Sequence, residues 1–450
     1  MSPVTSHAAA IGCLAALASF ASTSDRPRQA ESWSCDQQPI VITRTSVWTP
    51  ERVLTNREIV IDKGIITKID GRVERPASAR VIDAEGAIVL PGLIDSHAHL
   101  DVWPGPAAGD AIPRDQVFNI LGRQTLSSGV TTVRMHLSGL DDGPAFKQQA
   151  AADCFPAPRV ILGGPGLQGG APDLAVRLMR GVSGPDDARR KVRDVASSAD
   201  WLALHDADRF SQAERDAISA EAEVRAIRLM AAGDRFDEIR SALSIPGIIT
   251  LEYLNRTTAP AYPDDVIQLL QQRRSSIYIV TPIGYYMRFH AYRLNPAAVV
   301  NPIHTRFFEP GFAEGLLAGL QRQLREGDGG PIEASFQTLG PKFRQLRSAG
   351  LMLLLGSDSG SPGQFHSDAI WHEMRSWRDL GVPIDRIIEA GTVLPSRMLR
   401  RPDIGEIREG ARADLVLYSG DLRERLDVTN VRDVIKGGVV FVRNGRWVGP

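Results

Sequence analysis

The chain has 450 residues, 43% of them hydrophobic and 23% charged, with 52 Lys plus Arg against 53 Asp plus Glu and a net charge of −1. That length gives room for one large domain and a smaller one, and the balance is that of an ordinary globular protein. No basic cluster reads as a nucleic-acid footprint, and the three cysteines, Cys13, Cys35 and Cys154, lack the spacing of a structural zinc site.

The N-terminal stretch AAAIGCLAALASFA, Ala8 to Ala21, is apolar, rich in small residues and ends in S-F-A before Ser22. It is too short to span a membrane and reads as a secretory signal cleaved after Ala21. Only His7 stands in for the usual positive charge ahead of it, so a disordered leader is the alternative. Export would place the mature chain in an oxidising compartment, periplasmic or extracellular, where Cys35 and Cys154 can pair.

After this leader (residues 1–38), PIVITRTSVW (Pro39 to Trp48) and REIVIDKGIITKID (Arg57 to Asp70) are β-branched runs, the second broken by a Lys63-Gly64 turn. Eight apolar segments of strand character follow: LIDSHAHL from Leu93, Val130 to His136, Arg159 to Gly164, Trp201 to His205, Val224 to Ala231, Ile248 to Leu254, Ser276 to Ile283 and Leu351 to Ser359. Helical patterns lie between them, at Pro185 to Ala199 and at LGPKFRQLRSAG, which Gly350 ends. Such strands joined by helices predict an α/β chain with a parallel (β/α)8 TIM-like barrel over residues 91–403, against an open doubly wound sheet. Near the C-terminus, ADLVLY (Ala413 to Tyr418) and VIKGGVVFVRNG (Val434 to Gly445) are again strands, turned at Gly437-Gly438 and Asn444-Gly445. Each chain end alone is too small to fold securely, so residues 39–90 and 404–450 are expected to join in one small β-sandwich.

The chemistry concentrates at the end of the first barrel strand. In VLPGLIDSHAHLDVW, His97 and His99 stand at i, i+2, so both imidazoles point to one face and can grip one ion. The segment from Tyr285 to Gly340 is long for a barrel loop and carries Tyr285, Tyr286, Phe289, Tyr292, Phe307 and Phe308. It would overhang the mouth as a substrate lid or serve a dimer interface.

PGLIDSHAH (Pro91 to His99), GVTTVR (Gly129 to Arg134), GSDSG (Gly356 to Gly360), IGEIREGARADLVLY (Ile404 to Tyr418) and VIKGG (Val434 to Gly438) together resemble the amidohydrolase superfamily, in its imidazolonepropionase-like and Xaa-dipeptidase-like branch. The resemblance runs from about Pro39 to Gly445 and implies the same barrel and sandwich. It implies two divalent metals, usually zinc, held by the HxH of strand one, a carboxylated Lys of strand four, one His each from strands five and six, and an Asp of strand eight. That Asp shuttles the proton in attack on an amide or related carbonyl. His97, His99 and Asp358 match. The frame A-D-x-I-K falls on Ala199 to Ala203, leaving Ala203 in place of Lys; V-x-V-H falls on Val224 to Arg228; I-E-H falls on Leu251 to Tyr253. No His occurs between His205 and His290, so no shift of frame restores the pair.

The residues thus point to one metal, zinc by preference, with iron or manganese also suited to two His and one carboxylate. His97, His99 and Asp358 are the expected ligands. Asp358 and His205 are the candidate proton carriers, with His205 also placed to become a fourth ligand; His136 ends strand two in similar fashion. Arg228 is expected to anchor a substrate carboxylate or oxyanion, against an internal pair with Glu252, and Tyr253 to donate to the same oxygen. Two readings follow. One is a hydrolase of amide, peptide or cyclic amide bonds in small molecules. The other is a catalytically inactive amidohydrolase-like protein that binds a ligand or supports a complete partner, in either case as a monomer or homo-oligomer.

Overall fold

The computed structural model describes residues 35, 38–106, 112–170, 178–327 and 329–450, so the candidate signal at Ala8 to Ala21 and Cys13 fall outside the described residues. Strands β1 (Ile40–Trp48), β2 (Val53–Asp62), β3 (Ile65–Asp70), β4 (Arg80–Asp83) and β5 (Ile88–Pro91) open the chain. β1 changes partners along its length, pairing with β4 through Ile40 to Thr43 and with β5 through Ser46 and Val47. Register shifts at Ile42/Thr45 and Thr45/Val47 mark the bend.

The central part is mixed α/β with parallel sheets. β6 (Leu93–Ala98), β7 (Val130–Met135) and β8 (Arg159–Leu162) form a three-stranded sheet. β9 (Gly166–Gln168), β10 (Met179–Gly181), β11 (Trp201–His205), β12 (Arg228–Ala232), β13 (Ile248–Glu252), β14 (Tyr278–Val280) and β15 (Met352–Leu354) form a seven-stranded one, in the order β10-β9-β11-β12-β13-β14-β15. Their burial is nearly continuous, as expected for parallel strands covered on both faces. At one edge Gly163 bridges Trp201, and at the other Ala98 bridges Ser359. Backbone bonds extend the second link, with Ser96 N donating to Leu355 O (3.1 Å) and His99 N to Ser359 O (2.9 Å).

Three expectations need correction. The fifth strand does not start at Val224: Val224 and Arg225 end the helix Gln212–Arg225, Ala226 caps it at φ 53°, and the strand begins at Arg228. The short β9 and β10 were not anticipated from the run that ends at Gly164. The long Tyr285 to Gly340 segment is largely helical, with helices at Ile283–Leu294 and Pro310–Glu326 and a third, Gly330–Ser348, that carries Pro341 inside it.

The chain returns through β16 (Leu415–Tyr418), β17 (Val431–Lys436), β18 (Val439–Arg443) and β19 (Arg446–Trp447). β16 lies antiparallel to β5, with Leu415 opposite Pro91, so both chain ends share one hydrogen-bonded path of nine strands, β19-β18-β17-β16-β5-β1-β2-β3 with β4 on β1. Ile42, Ile59, Ile82, Val89, Leu417 and Ile435 from both ends bury one common cluster. Neither end would cover that apolar surface alone. Among the described residues no helix is long and apolar enough to cross a membrane.

Cys35 and Cys154 form a disulfide with Cα atoms 5.4 Å apart, across a separation of 119 residues. In the chain-entropy account such a closure limits the unfolded chain by on the order of 5 kcal/mol. Peptide mapping of non-reduced protein should recover the Cys35–Cys154 pair, and reduction or Cys35→Ser should lower Tm by several degrees. An unchanged Tm would mean the cross-link constrains nothing that unfolding releases.

Candidate metal centre

Two main-chain devices place the candidate ligands. The buried Asp95 accepts from Ser357 N (2.9 Å), Ser357 Oγ (2.5 Å) and His97 N (3.2 Å), clamping the turn after β15 onto β6. Burial pushes its carboxyl up to about 6, against the pull of the Ser357 and His97 hydrogen bonds. Asp358 then adopts φ 52°, a left-handed conformation that costs a non-glycine residue, and its N–H donates to His97 O at 2.8 Å. This brings Asp358 Oδ1 to 3.5 Å from His97 Nε2 and 3.3 Å from His99 Nε2. Ligand atoms about 2.1 Å from a tetrahedral ion stand about 3.4 Å from one another. The donor set therefore fits one ion. Burial pushes the Asp358 carboxyl up, but His99 and His97 outweigh it and hold the group below the usual carboxylate range.

Behind His97 lies a fully buried chain of charges. His97 Nδ1 is 2.9 Å from Glu252 Oε2, while Glu252 Oε1 accepts from Arg134 Nη2 (2.7 Å) and Thr250 Oγ1 (2.5 Å). An ionised carboxylate only accepts, so Nδ1 carries the proton and Nε2 keeps its lone pair toward Asp358. Burial opposes the charge on Glu252, yet Arg134 and His97 hold it ionised, below its usual range. A second set of donors, His97, His136 and Glu252, also converges. It does not fit a second ion, because Glu252 is already committed to three donors and the Arg134 guanidinium repels a divalent cation. Ala232, which pairs with Glu252 in the sheet, offers no lone pair beside it.

The remaining candidates separate. His205 Nε2 is 3.3 Å from His136 Nε2, and His136 stacks on His97 with centroids 4.1 Å apart. Burial drives both imidazoles toward the neutral form, His136 well below its ordinary value with a further push from His97. His205 thus stands one ring removed from the ligands. Tyr253, at φ 74°, brings its hydroxyl to 3.5 Å from His97 Nε2, and burial raises it well above the usual phenol range.

Arg228 is elsewhere. It is the first residue of β12, at the end of the strand remote from the ligands, donating to Leu399 O (2.9 Å) and Met398 O (3.3 Å) and lying over Trp201. The register pairs Ala232, not Arg228, with Glu252. Glu252 pairs with Arg134 rather than Arg228, and the cation near Tyr253 is Arg256, stacked on its ring at 5.1 Å and forked to Asp234. Arg134 and Glu252 are the residues that sequence reading left out of the site. Two charges inside otherwise apolar strands, one in VTTVRM and one ending IITLE, were the available signal, since buried charges need partners.

Among the described residues, His99 Nδ1, His136 Nδ1, Thr281 Oγ1 and Ser359 Oγ are buried with no hydrogen-bond partner. Such atoms are costly unless something polar meets them.

Residues 290–442 match the profile of the amidohydrolase family. The imidazolonepropionase of Salinispora arenicola (strain CNS-205) is 23% identical over 409 residues, spanning 87% of this chain and 93% of its own. Among solved structures, a Xaa-Pro dipeptidase with bound methionine in its active site superposes with a TM-score of 0.69 at 20% identity, covering 90% of this chain and all of its own. A molinate hydrolase superposes at 0.71 with 17% identity, covering 90% of this chain and 95% of its own. At these identities the superpositions establish a shared fold.

Two variants separate the centre from its surroundings. Glu252→Gln should weaken zinc binding by about 10–100-fold, measured by chelator competition, because the partner that fixes His97 is lost. Arg228→Ala should leave zinc affinity where it was.

Proposed function

We propose, for a chain that belongs to the amidohydrolase superfamily in its imidazolonepropionase- and Xaa-dipeptidase-like branch, a hydrolase of carbon–nitrogen bonds in small amide, peptide or cyclic amide substrates that works with one divalent metal. The convergence of His97, His99 and Asp358 at metal-ligand spacing carries this reading. We further read the two parallel sheets as one closed (β/α)8 barrel, supported by the Gly163–Trp201 and Ala98–Ser359 bridges that link them at both edges.

A divalent ion, zinc by preference, would supply the Lewis acidity that polarises a substrate carbonyl. The chain's own residues do the rest. His97, its Nδ1 proton held by Glu252, and His99 orient the ligand set. Asp358, kept ionised, takes a proton from the water that attacks the carbonyl carbon and returns it to the leaving nitrogen as the carbon–nitrogen bond breaks. Tyr253, kept protonated, donates to the carbonyl oxygen. His205, paired with His136, holds a proton one ring behind His97 and is a relay rather than a ligand. The Cys35–Cys154 disulfide supports export through the Ala8 to Ala21 segment, because such bonds persist in oxidising compartments. Ala203 in place of the Lys, and the absence of any His between His205 and His290, favour the second reading, an inactive binding protein.

Metal analysis of protein expressed with zinc should find at most one tightly held equivalent, lost in His97→Ala. A screen of N-acyl amino acids, dipeptides and small lactams should find turnover that disappears with the metal in His97→Ala and Asp358→Ala. Two equivalents would overturn the single-metal reading; none, in a folded chain, would favour the inactive one.

A further inference from the structure

Three segments far apart in sequence interlock above the ligands: residues 99–106, 295–312 and 359–368. His366 Nε2 lies 2.9 Å from His99 O. A carbonyl only accepts, so His366 donates there, and its Nδ1 makes no hydrogen bond among the described residues. Gly360, at φ 101°, packs so closely that a Cβ would stand 2.9 Å from the same oxygen. Gly363 N donates to Pro104 O at 2.8 Å. The loop is thus moulded onto the backbone of a metal ligand.

Two residues beyond His366, the buried Asp368 accepts both arms of Arg288 at 2.9 Å and lies 3.4 Å from His304 Nε2. The His304 ring lies flat on Phe365, with centroids 4.1 Å and planes 1° apart. Gln124 Nε2 fixes the same segment by donating to His304 O (3.2 Å) and Arg306 O (2.7 Å), and Trp103 meets Phe308 and Phe312. Lifting residues 295–312 would break the His304 contact with the buried carboxylate and leave Asp368 to Arg288 alone. Moving Asp368 moves His366, and with it the support of His99.

We infer that the loop 359–368 is a latch: His366 is a positioning residue for His99, and the Asp368–His304 contact makes seating of residues 295–312 over the mouth a condition for a well-formed ligand set. This rests on the assignment of His99 as a ligand.

The test is amide hydrogen exchange over residues 99–104 and 295–309, with zinc affinity measured in parallel. Asp368→Asn should speed exchange in both segments and weaken zinc about 10–100-fold, the range for lost outer partners of ligands. His366→Phe should do so for residues 99–104 and zinc only, leaving 295–309 as in the native chain. His366→Gln, which keeps a donor, should recover most of the zinc affinity. If Asp368→Asn does not fold, His304→Phe keeps the stacking and removes the contact, with the same expectation. Faster exchange at 295–309 with residues 99–104 and zinc unchanged would overturn the coupling, as would a silent His366→Phe. A native chain that binds no zinc would instead sink the proposed function, while the exchange measurements would still decide the latch.

Discussion

The structure turns on the buried ion pair between Arg134 and Glu252. Arg134 projects from β7 and Glu252 from β13, and neither side chain reaches water. Burying either charge alone would cost several kcal/mol, so the two must meet, and in meeting they fix how β7 and β13 face each other. Arg134 Nε also donates to Ser96 O at 2.7 Å, which draws β6 into the same arrangement. Glu252 then spends its second oxygen on His97. One electrostatic constraint thereby sets strand packing, the tautomer of a candidate ligand and the direction of its lone pair.

The same pair supports the proposal of a single ion. A second divalent cation beside Glu252 would compete with a guanidinium that cannot lose its charge. Ala203, in place of the family's Lys, offers no ligand that might otherwise repay that repulsion. The imidazoles of His136 and His205 fill the space, and burial keeps them neutral, so they add no further positive charge beside Arg134. In the proposed single-metal reading, fixed protein charge takes the place of a second ion.

What could be read from the sequence followed from how local each signal was. His97 and His99 were legible because a two-residue period on a strand is a local property. Asp358 was legible only through the family resemblance, since its approach to the imidazoles depends on a left-handed turn and on Asp95 across the sheet. Arg228 was misplaced because Val224 and Arg225 continue a helix into an apolar run, so counting from Val224 put a strand's first residue where its last should be. Tyr285, Phe289 and Tyr292 have the i, i+4, i+7 spacing of a helical face, which argued for the helix Ile283–Leu294 against a loop. Arg134 and Glu252 were visible as charges but not as partners, because 118 residues separate them. Long-range pairing of that kind is fixed by the fold and not by either local pattern.

Backbone strain at the mouth supports the assignment of the site. Tyr253 at φ 74° and Asp358 at φ 52° both hold left-handed conformations, and each follows the end of a strand that faces the ligands. Such conformations persist only where surrounding contacts over-determine them. For Asp358 the contacts are its own N–H bond to His97 and the clamp of Asp95 on Ser357; for Tyr253 they are the backbone bond to Val280 O at 3.0 Å and the Arg256 guanidinium on its ring. A chain that had lost all use for this mouth would gain stability by relaxing either residue to glycine or to an extended turn. That both strained residues aim a functional group at His97 argues that the arrangement is retained for what it holds.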